Sequence, residues 1–140
     1  MRKRRGNAVV EVTLLAPWIF FLFAGVFDIG FYACALICTE NAARAAAAYT
    51  SSKASRAADA TGACPYALTE MNAMSNTRSL AVCTASPLTL TATSVTGIDS
   101  AAASQVTVTY QVMTLIPIPS LVGQLTITRT VQQRINSQGP

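Results

Sequence analysis

An apolar run near the N-terminus limits what this chain can fold into more than any other feature. No residue from Val12 to Phe27 is charged, and after Asp28 the run from Ile29 to Thr39 is uncharged again. A helix needs about 20 apolar residues to cross the hydrocarbon core of a bilayer. The segment from Ala8 to Phe27 supplies that length, so we expect a transmembrane helix.

The charges that flank this run predict its orientation. Four cations, Arg2, Lys3, Arg4 and Arg5, precede it, and none follows closely. Positive flanks stay in the cytoplasm. We therefore expect a single pass through the inner (cytoplasmic) membrane, with the N-terminus cytoplasmic and the C-terminus extracytoplasmic.

One carboxylate, Glu11, lies about a turn inside the apolar segment. An acid there costs a few kcal/mol unless it is paired or lies near the interface. Glu11 is therefore either solvated at headgroup depth or pairs with a cation that arrives on assembly. A cut after Gly6 would make Asn7 the new amino terminus and Glu11 the fifth residue. Glycine suits such a cut because a protease cleft can take it in an extended conformation.

A basic leader, a glycine, four residues and a glutamate before a long apolar helix resemble the processing site of type IV prepilins. The chain resembles the TadE-like pilus assembly family in particular. The N-terminal motifs that carry this resemblance are Arg5-Gly6-Asn7-Ala8-Val9-Val10-Glu11, Leu14-Leu15-Ala16-Pro17, Gly25, Phe27-Asp28-Ile29-Gly30 and Asn41-Ala42-Ala43-Arg44. The C-terminal ones are Val106-Thr107-Val108-Thr109-Tyr110 and Leu125-Thr126-Ile127-Thr128 with Arg129 and Arg134.

This resemblance implies a minor pilin or pseudopilin of the tight-adherence (Flp, type IVb) pilus system. It implies cleavage after Gly6, with Gly6 and Asn7 as the processing site and Glu11 as the subunit-assembly residue. The implied partners are a prepilin peptidase, the major Flp pilin, other minor pilins, and an inner-membrane assembly platform with its ATPase. After assembly the protein would lie in the cell-surface pilus.

Two other functions fit the same sequence. An uncleaved, signal-anchored envelope protein would carry a periplasmic binding domain and make Gly6 and Glu11 incidental. A secreted domain would follow signal-peptidase cleavage near Ala48. The apolar region is long for a signal peptide and contains Glu11 and Asp28, which argues against the secreted form.

The charge balance and the residue inventory argue against several other classes. Four of the ten Lys and Arg residues are in the leader, and the rest balance six acids, so no basic surface predicts a nucleic-acid partner. The chain has no histidine, the commonest general base and a common metal ligand. We expect no enzyme activity, no metal, no cofactor and no small-molecule substrate.

The four cysteines fall into two pairs. Cys34 and Cys38 are four apart and share one helix face, where they are small packing residues or carry some other role. Cys64 and Cys83 belong to the part expected in an oxidising compartment, so we predict a disulfide between them. It would close a loop of about 20 residues and stabilise the domain by roughly 3 kcal/mol.

The N-terminal helix is expected to continue beyond the membrane as a stalk that reaches Ala60, where Thr61-Gly62 would stop it. Glu40 and Arg44 are four apart and can pair. The alanine-rich stretch 42–48 favours helix. Its small side chains form either a solvated surface or a packing face inside a pilus.

The remainder predicts a short helix and then a small antiparallel sheet. The strands are expected at Leu80–Thr84, Leu88–Val95, Gln105–Val112 and Leu125–Val131, with the last two paired. Val106, Val108, Tyr110 and Val112 alternate with polar residues and should share one face. Between the last two strands, Leu115, Ile116, Ile118 and Leu121 are expected to cover the core or form a contact patch.

The predicted fold class is therefore α+β and pilin-like: a long N-terminal transmembrane helix extends into a stalk, and a small antiparallel β-sheet domain follows. The expected divisions are a cleaved basic leader at 1–6, a transmembrane and stalk helix at 7–60, and an extracytoplasmic α+β domain at 61–140.

Overall fold

A computed structural model describes residues 4–113 and 125–136, with side chains from residue 9 onward. The chain is α+β, with one long helix followed by a second helix and a four-stranded antiparallel sheet, as predicted. The helices are α1 (Arg4–Ser51) and α2 (Ala60–Glu70), and the strands are β1 (Thr84–Ala85), β2 (Leu88–Thr96), β3 (Ala102–Gln111) and β4 (Thr126–Arg134). Short 3-10 turns lie at Ala54–Arg56 and Met71–Ala73.

Helix α1 continues through Pro17 and ends at Ser51, so the prediction that it reaches Ala60 is wrong. Three consecutive hydroxyl residues explain the earlier end. Thr50, Ser51 and Ser52 each donate a side-chain hydrogen bond to the carbonyl three residues earlier, and such bonds compete with continuation of the helix. Lys53 then adopts an extended backbone, which breaks the helix.

The Thr61-Gly62 pair, predicted to stop α1, lies instead in the first turn of α2. Asp59 caps this second helix because its Oδ1 accepts a hydrogen bond of 2.8 Å from the Gly62 N–H. Helix α2 then packs back against α1. The sequence signal for this start is the capping residue Asp59, which lies inside the helix predicted at 7–60.

The outer part of α1 is the core of the domain rather than a projecting stalk. Helix α2 and strands β3 and β4 all contact it. Five of its alanines are fully buried: Ala35, Ala42, Ala43, Ala46 and Ala47. Their small side chains let the neighbouring elements approach closely. These five alanines therefore pack within their own chain, and form neither a solvated surface nor a packing face inside a pilus.

The sheet is a meander in the order β1-β2-β3-β4. The predicted pairing of the last two strands is confirmed, with Val108 opposite Arg129 and Tyr110 opposite Ile127. The predicted inner face of β3 is also confirmed, because Val106, Val108, Tyr110 and Val112 are all buried. The first strand is shorter than the predicted Leu80–Thr84 and begins only at Thr84.

The outer face of the sheet is polar and uncharged at its centre. Threonines stand opposite each other across the strands, as in the rows Thr91–Thr107–Thr130 and Thr89–Thr109–Thr128. Two cross-strand hydroxyl pairs, Thr107–Thr130 at 2.9 Å and Thr109–Thr128 at 3.2 Å, are hydrogen bonded. The sheet thus turns its apolar side to α1 and its hydroxyl side outward.

The turn between β2 and β3 is closed by a hydrogen bond of 2.8 Å from the Gly97 N–H to the Ala101 carbonyl. Ser100 takes a positive φ of 60° in this turn. Ile98 projects from it and is fully exposed. The four apolar residues expected between the last strands (115, 116, 118 and 121) lie outside the described residues.

Candidate functional site: the bare helix and its junction with the domain

The expected processing site lies at the start of α1. The helix begins at Arg4, so the backbone at Gly6 and Asn7 is helical. A protease that takes an extended segment must unwind this first stretch. That unwinding is cheap at a helix end, where the first N–H groups have no helical partner.

From Val9 to Gly30 the helix is bare, which means that the rest of the described chain does not bury its side chains. Its large apolar side chains are exposed, including Trp18 at 73%, Phe23 at 74% and Ile29 at 70%. The segment from Val9 onward is long and apolar enough to cross a membrane, and none of its most apolar stretch is buried by the rest of the chain. Water solvates such a surface poorly, so it requires lipid or other apolar helices around it.

Two carboxylates bracket this bare segment. Glu11 and Asp28 are exposed, and in the described part of the chain no cation forms an ion pair with either. The rise of a helix places them about 26 Å apart along the axis. The hydrocarbon core is about 30 Å thick, so both cannot lie fully outside it unless the bilayer thins locally. At least one therefore gains from a partner.

The surroundings of α1 change abruptly after Gly30. Phe31 and Tyr32 are half-buried against the core, and Ala35 is fully buried. No bare stretch separates the apolar segment from the domain. Asp28 and Gly30 thus mark the junction between a lipid-compatible surface and a packed one.

Cys64 and Cys83, the predicted bridge, are joined by a disulfide, with their Cα atoms 5.7 Å apart. Cys64 belongs to α2, and Cys83 immediately precedes β1. Both are buried beside the core. The bond ties the second helix to the first edge of the sheet, a region that otherwise has few strand hydrogen bonds.

Cys34 and Cys38 lie on α1 just beyond the junction. Cys34 is exposed and Cys38 is half-buried. Burial raises the pKa of the Cys38 thiol, and the neighbouring Cys34 and then Glu70 raise it further. A raised pKa keeps this thiol protonated and poorly reactive.

A polar cluster fixes the far end of α1 to the start of α2. The Tyr49 hydroxyl donates to Asp59 Oδ2 at 3.0 Å, and the Arg56 guanidinium lies 4.9 Å from the Tyr49 ring centroid. The Gly62 N–H, and then the Tyr49 hydroxyl, lower the pKa of Asp59. A Cβ at Gly62 would meet the Asp59 carboxylate and the Tyr49 hydroxyl, so a larger residue there would displace both side chains of this cluster.

Two further contacts hold the sheet on the helix. Ser104 donates a buried hydrogen bond of 2.7 Å to Thr50 Oγ1, near the end of α1. Closer to the N-terminus of the helix, Glu40 forms the predicted ion pair with Arg44, at 3.1 Å. Arg129 of β4 forms a second ion pair with Glu40, at 3.5 Å. Sequence spacing predicts only the Glu40–Arg44 contact, since the others join residues far apart in the chain.

The chain therefore combines one membrane-capable helix with a small disulfide-containing domain packed on its outer part. A family model described as TadE-like protein matches residues 6–48. This match confirms the resemblance to the TadE-like family over the N-terminal segment, and it connects the chain with assembly of the tight-adherence pilus. The match does not extend to the C-terminal motifs. No curated protein and no solved structure matches the chain.

The matched segment contains three of the five predicted site residues, Gly6, Asn7 and Glu11. The other two, Cys64 and Cys83, lie far from them, because the disulfide belongs to the distal domain. The geometry thus divides the predicted residues into a set at the membrane end of α1 and a set that only supports the fold.

Proposed function

We propose that this protein is a minor pilin or pseudopilin of a tight-adherence (Flp, type IVb) pilus assembly system. It enters the inner membrane as a precursor, is cut after Gly6 by a prepilin peptidase, and is built into the pilus or primes its assembly. The observation that carries the proposal is the spacing of Gly6 and Glu11 immediately before a bare apolar helix, within the segment that matches the TadE-like family.

The role of Glu11 follows from membrane electrostatics. An unpaired carboxylate at the edge of the hydrocarbon is costly, and a neighbouring subunit can supply the compensating cation. The freed amine at Asn7 of a pilin-type neighbour is such a cation, because it lies at the same end of its own helix. Pairing the amine with Glu11 would fix the axial stagger between subunits as each one joins.

Cleavage has two physical consequences. It creates the amine at Asn7, and it removes the four leader cations Arg2, Lys3, Arg4 and Arg5. Those cations hold the helix to the cytoplasmic face of the membrane, since moving them through the bilayer is prohibitively costly. A subunit can leave the bilayer for a fibre only after they are removed.

The rest of the chain has a structural part in this function. The domain packed on residues 31–51 lies on the extracytoplasmic side, where a disulfide such as Cys64–Cys83 persists. Its partners are the major pilin, other minor pilins and the platform with its ATPase. We propose no catalytic activity for the chain.

The experiment compares the two carboxylates of the bare helix. Glu11→Gln and Asp28→Asn each remove one charge from the same exposed apolar surface. We expect Glu11→Gln to be processed normally but to abolish assembly, measured as loss of the protein from sheared surface pili or loss of piliation. Asp28→Asn should retain most assembly, because it lies at the opposite end from the new amine.

Normal piliation with Glu11→Gln would contradict the pairing role.

Processing is tested separately by Gly6→Val, with Gly25→Val as its matched control. The Gly25 site has no atoms within 4 Å of an added Cβ, so a side chain is tolerated there. We expect only Gly6→Val to block cleavage. A chain that is never cut and functions normally would favour the uncleaved, signal-anchored alternative.

A further inference from the structure

The end of the domain nearest the bare helix carries exposed apolar residues. Met113, just after β3, is 41% exposed, and Leu125, just before β4, is 44% exposed. A hydrogen bond of 2.8 Å from the Val112 N–H to the Leu125 carbonyl holds the two strand ends together. These residues therefore have a defined place in the fold.

The level of this end along α1 follows from two contacts between sheet and helix. Ser104 forms a hydrogen bond with Thr50, near the C-terminal end of α1. Arg129, the strand partner of Val108, forms an ion pair with Glu40, which lies ten residues closer to the N-terminus of α1. Strand β3 thus runs along α1 in the opposite direction, toward the bare segment.

The distances place Met113 close to the junction. From Ser104 to Met113 an extended strand spans about 30 Å. From Thr50 back to Gly30 the helix also spans about 30 Å. Met113 and Leu125 therefore come level with Gly30 to Tyr32, where the domain begins to pack on α1.

The bilayer boundary lies at the same level if the bare segment spans the membrane. Val9 to Gly30 covers about 33 Å as a helix, close to the thickness of a hydrocarbon core. From Phe31 onward one face of α1 is packed by the domain, although Ile37 on the other face is 62% exposed, so this part cannot enter the lipid without the domain. The domain has no free stalk that would lift it away from the surface.

We propose that the end of the domain nearest the bare helix is a lipid-contact surface, in which Met113 and Leu125 enter the interfacial region of the outer leaflet beside Phe31 and Tyr32. The occupant is the bilayer, because this surface is continuous with the bare helix. A tyrosine such as Tyr32 is favourable at that depth, because its ring is apolar and its hydroxyl is polar. The contact would restrict the tilt of the domain before a subunit leaves the membrane. This inference rests on the membrane-spanning part of the proposed function.

Tryptophan quenching by brominated lipid tests the contact in the full-length protein. The chain has one tryptophan, Trp18, on the bare helix. In a Trp18→Phe background, single reporters are introduced by Met113→Trp, Leu125→Trp and, as control, Ile98→Trp. Ile98 is fully exposed at the opposite end of the sheet. Each protein is reconstituted in phosphatidylcholine vesicles that carry no bromine, bromine on the upper acyl chain, or bromine near the end of the acyl chain, the depth of Trp18 in the middle of the bare helix.

We expect the fluorescence of the reporters at 113 and 125 to fall at least about twofold in brominated vesicles, and that of the reporter at 98 to be unchanged. The unmodified protein, through Trp18, reports whether the helix is inserted. Quenching of Trp18 without quenching at either 113 or 125 would overturn the lipid contact alone. Absence of quenching at Trp18 would overturn the membrane span, and with it the proposed function.

Discussion

The two halves of α1 belong to one continuous helix, but one half is exposed and the other is packed within the domain. The half from Val9 to Gly30 exposes large apolar side chains and buries almost nothing. The half from Phe31 to Ser51 buries small ones, such as Ala42 and Ala46, beneath α2 and the sheet. Hydrophobicity alone does not separate these halves. Side-chain size does, because bulky residues suit lipid or partner helices and alanines suit close packing within the chain.

This difference implies that mutations in the two halves should have separate consequences. Changes in the packed half should alter the stability of the domain and leave membrane insertion intact. Changes in the bare half should alter insertion or assembly and leave the domain folded.

The largest stability effect is expected from the disulfide of the packed region. Cys64→Ser should lower the free energy of unfolding by about 3 kcal/mol, since it releases a loop with a sequence separation of 19. Denaturant unfolding of the purified protein in detergent measures this change, and membrane fractionation should show normal insertion. An unchanged stability would contradict the bridge in the native protein.

The next largest effect is expected from an alanine-to-leucine substitution, which is made in each half of α1 as a separate variant. Ala46→Leu should destabilise the domain by about 2 kcal/mol, because a fully buried alanine has no room for a larger side chain. Ala16→Leu, on the bare surface, should leave domain stability unchanged. The same unfolding measurement compares them. Equal effects would mean that the alanines of the outer half are not packed within the chain.

A smaller effect concerns pH and the far end of the packed half. The pKa of Asp59 is lowered in the fold by the Gly62 N–H and the Tyr49 hydroxyl. A lowered folded-state pKa contributes stability that is present above the ordinary aspartate pKa, near 3.9, and is lost as the pH falls through the folded value. Asp59→Asn keeps a capping side chain but cannot titrate. It should therefore lose less stability than the wild type below about pH 4; equal acid profiles would refute this role.

The smallest effect is expected from the ion pair that joins the sheet to α1. Arg129 lies 3.5 Å from Glu40, and both side chains are partly exposed. Arg129→Gln should cost under about 1 kcal/mol, and the cost should shrink in high salt because exposed pairs are screened. Denaturation at two salt concentrations checks this. A cost of several kcal/mol, independent of salt, would show that Arg129 acts through packing instead.

Much of this architecture was predictable because it depends on local patterns. The uncharged run 12–27 predicts the bare helix by length and composition. The alternation at Val106, Val108 and Tyr110 predicts the buried face of β3, and the i,i+4 spacing predicts the Glu40–Arg44 pair. Each of these signals lies within one element.

The remaining features depend on contacts between distant residues. Alanine favours helix in any environment, so Ala42 to Ala47 could not reveal the domain that covers them. At the end of α1, three consecutive hydroxyl side chains donate hydrogen bonds to carbonyls three residues earlier. Tyr49 also donates a hydrogen bond to Asp59, on the far side of the turn that follows the helix. The level of Met113 beside Gly30 follows only from the antiparallel packing of strand on helix.

The central claim is that this chain is a pilin-type subunit whose bare helix becomes competent for assembly by cleavage. The most direct test is the N-terminal residue and intact mass of the protein from its native membrane, with and without the prepilin peptidase. We predict a mature chain that begins at Asn7 and appears only when the peptidase is present. A chain that still begins at Met1 in the presence of the peptidase, or one that begins near Tyr49, would contradict the claim.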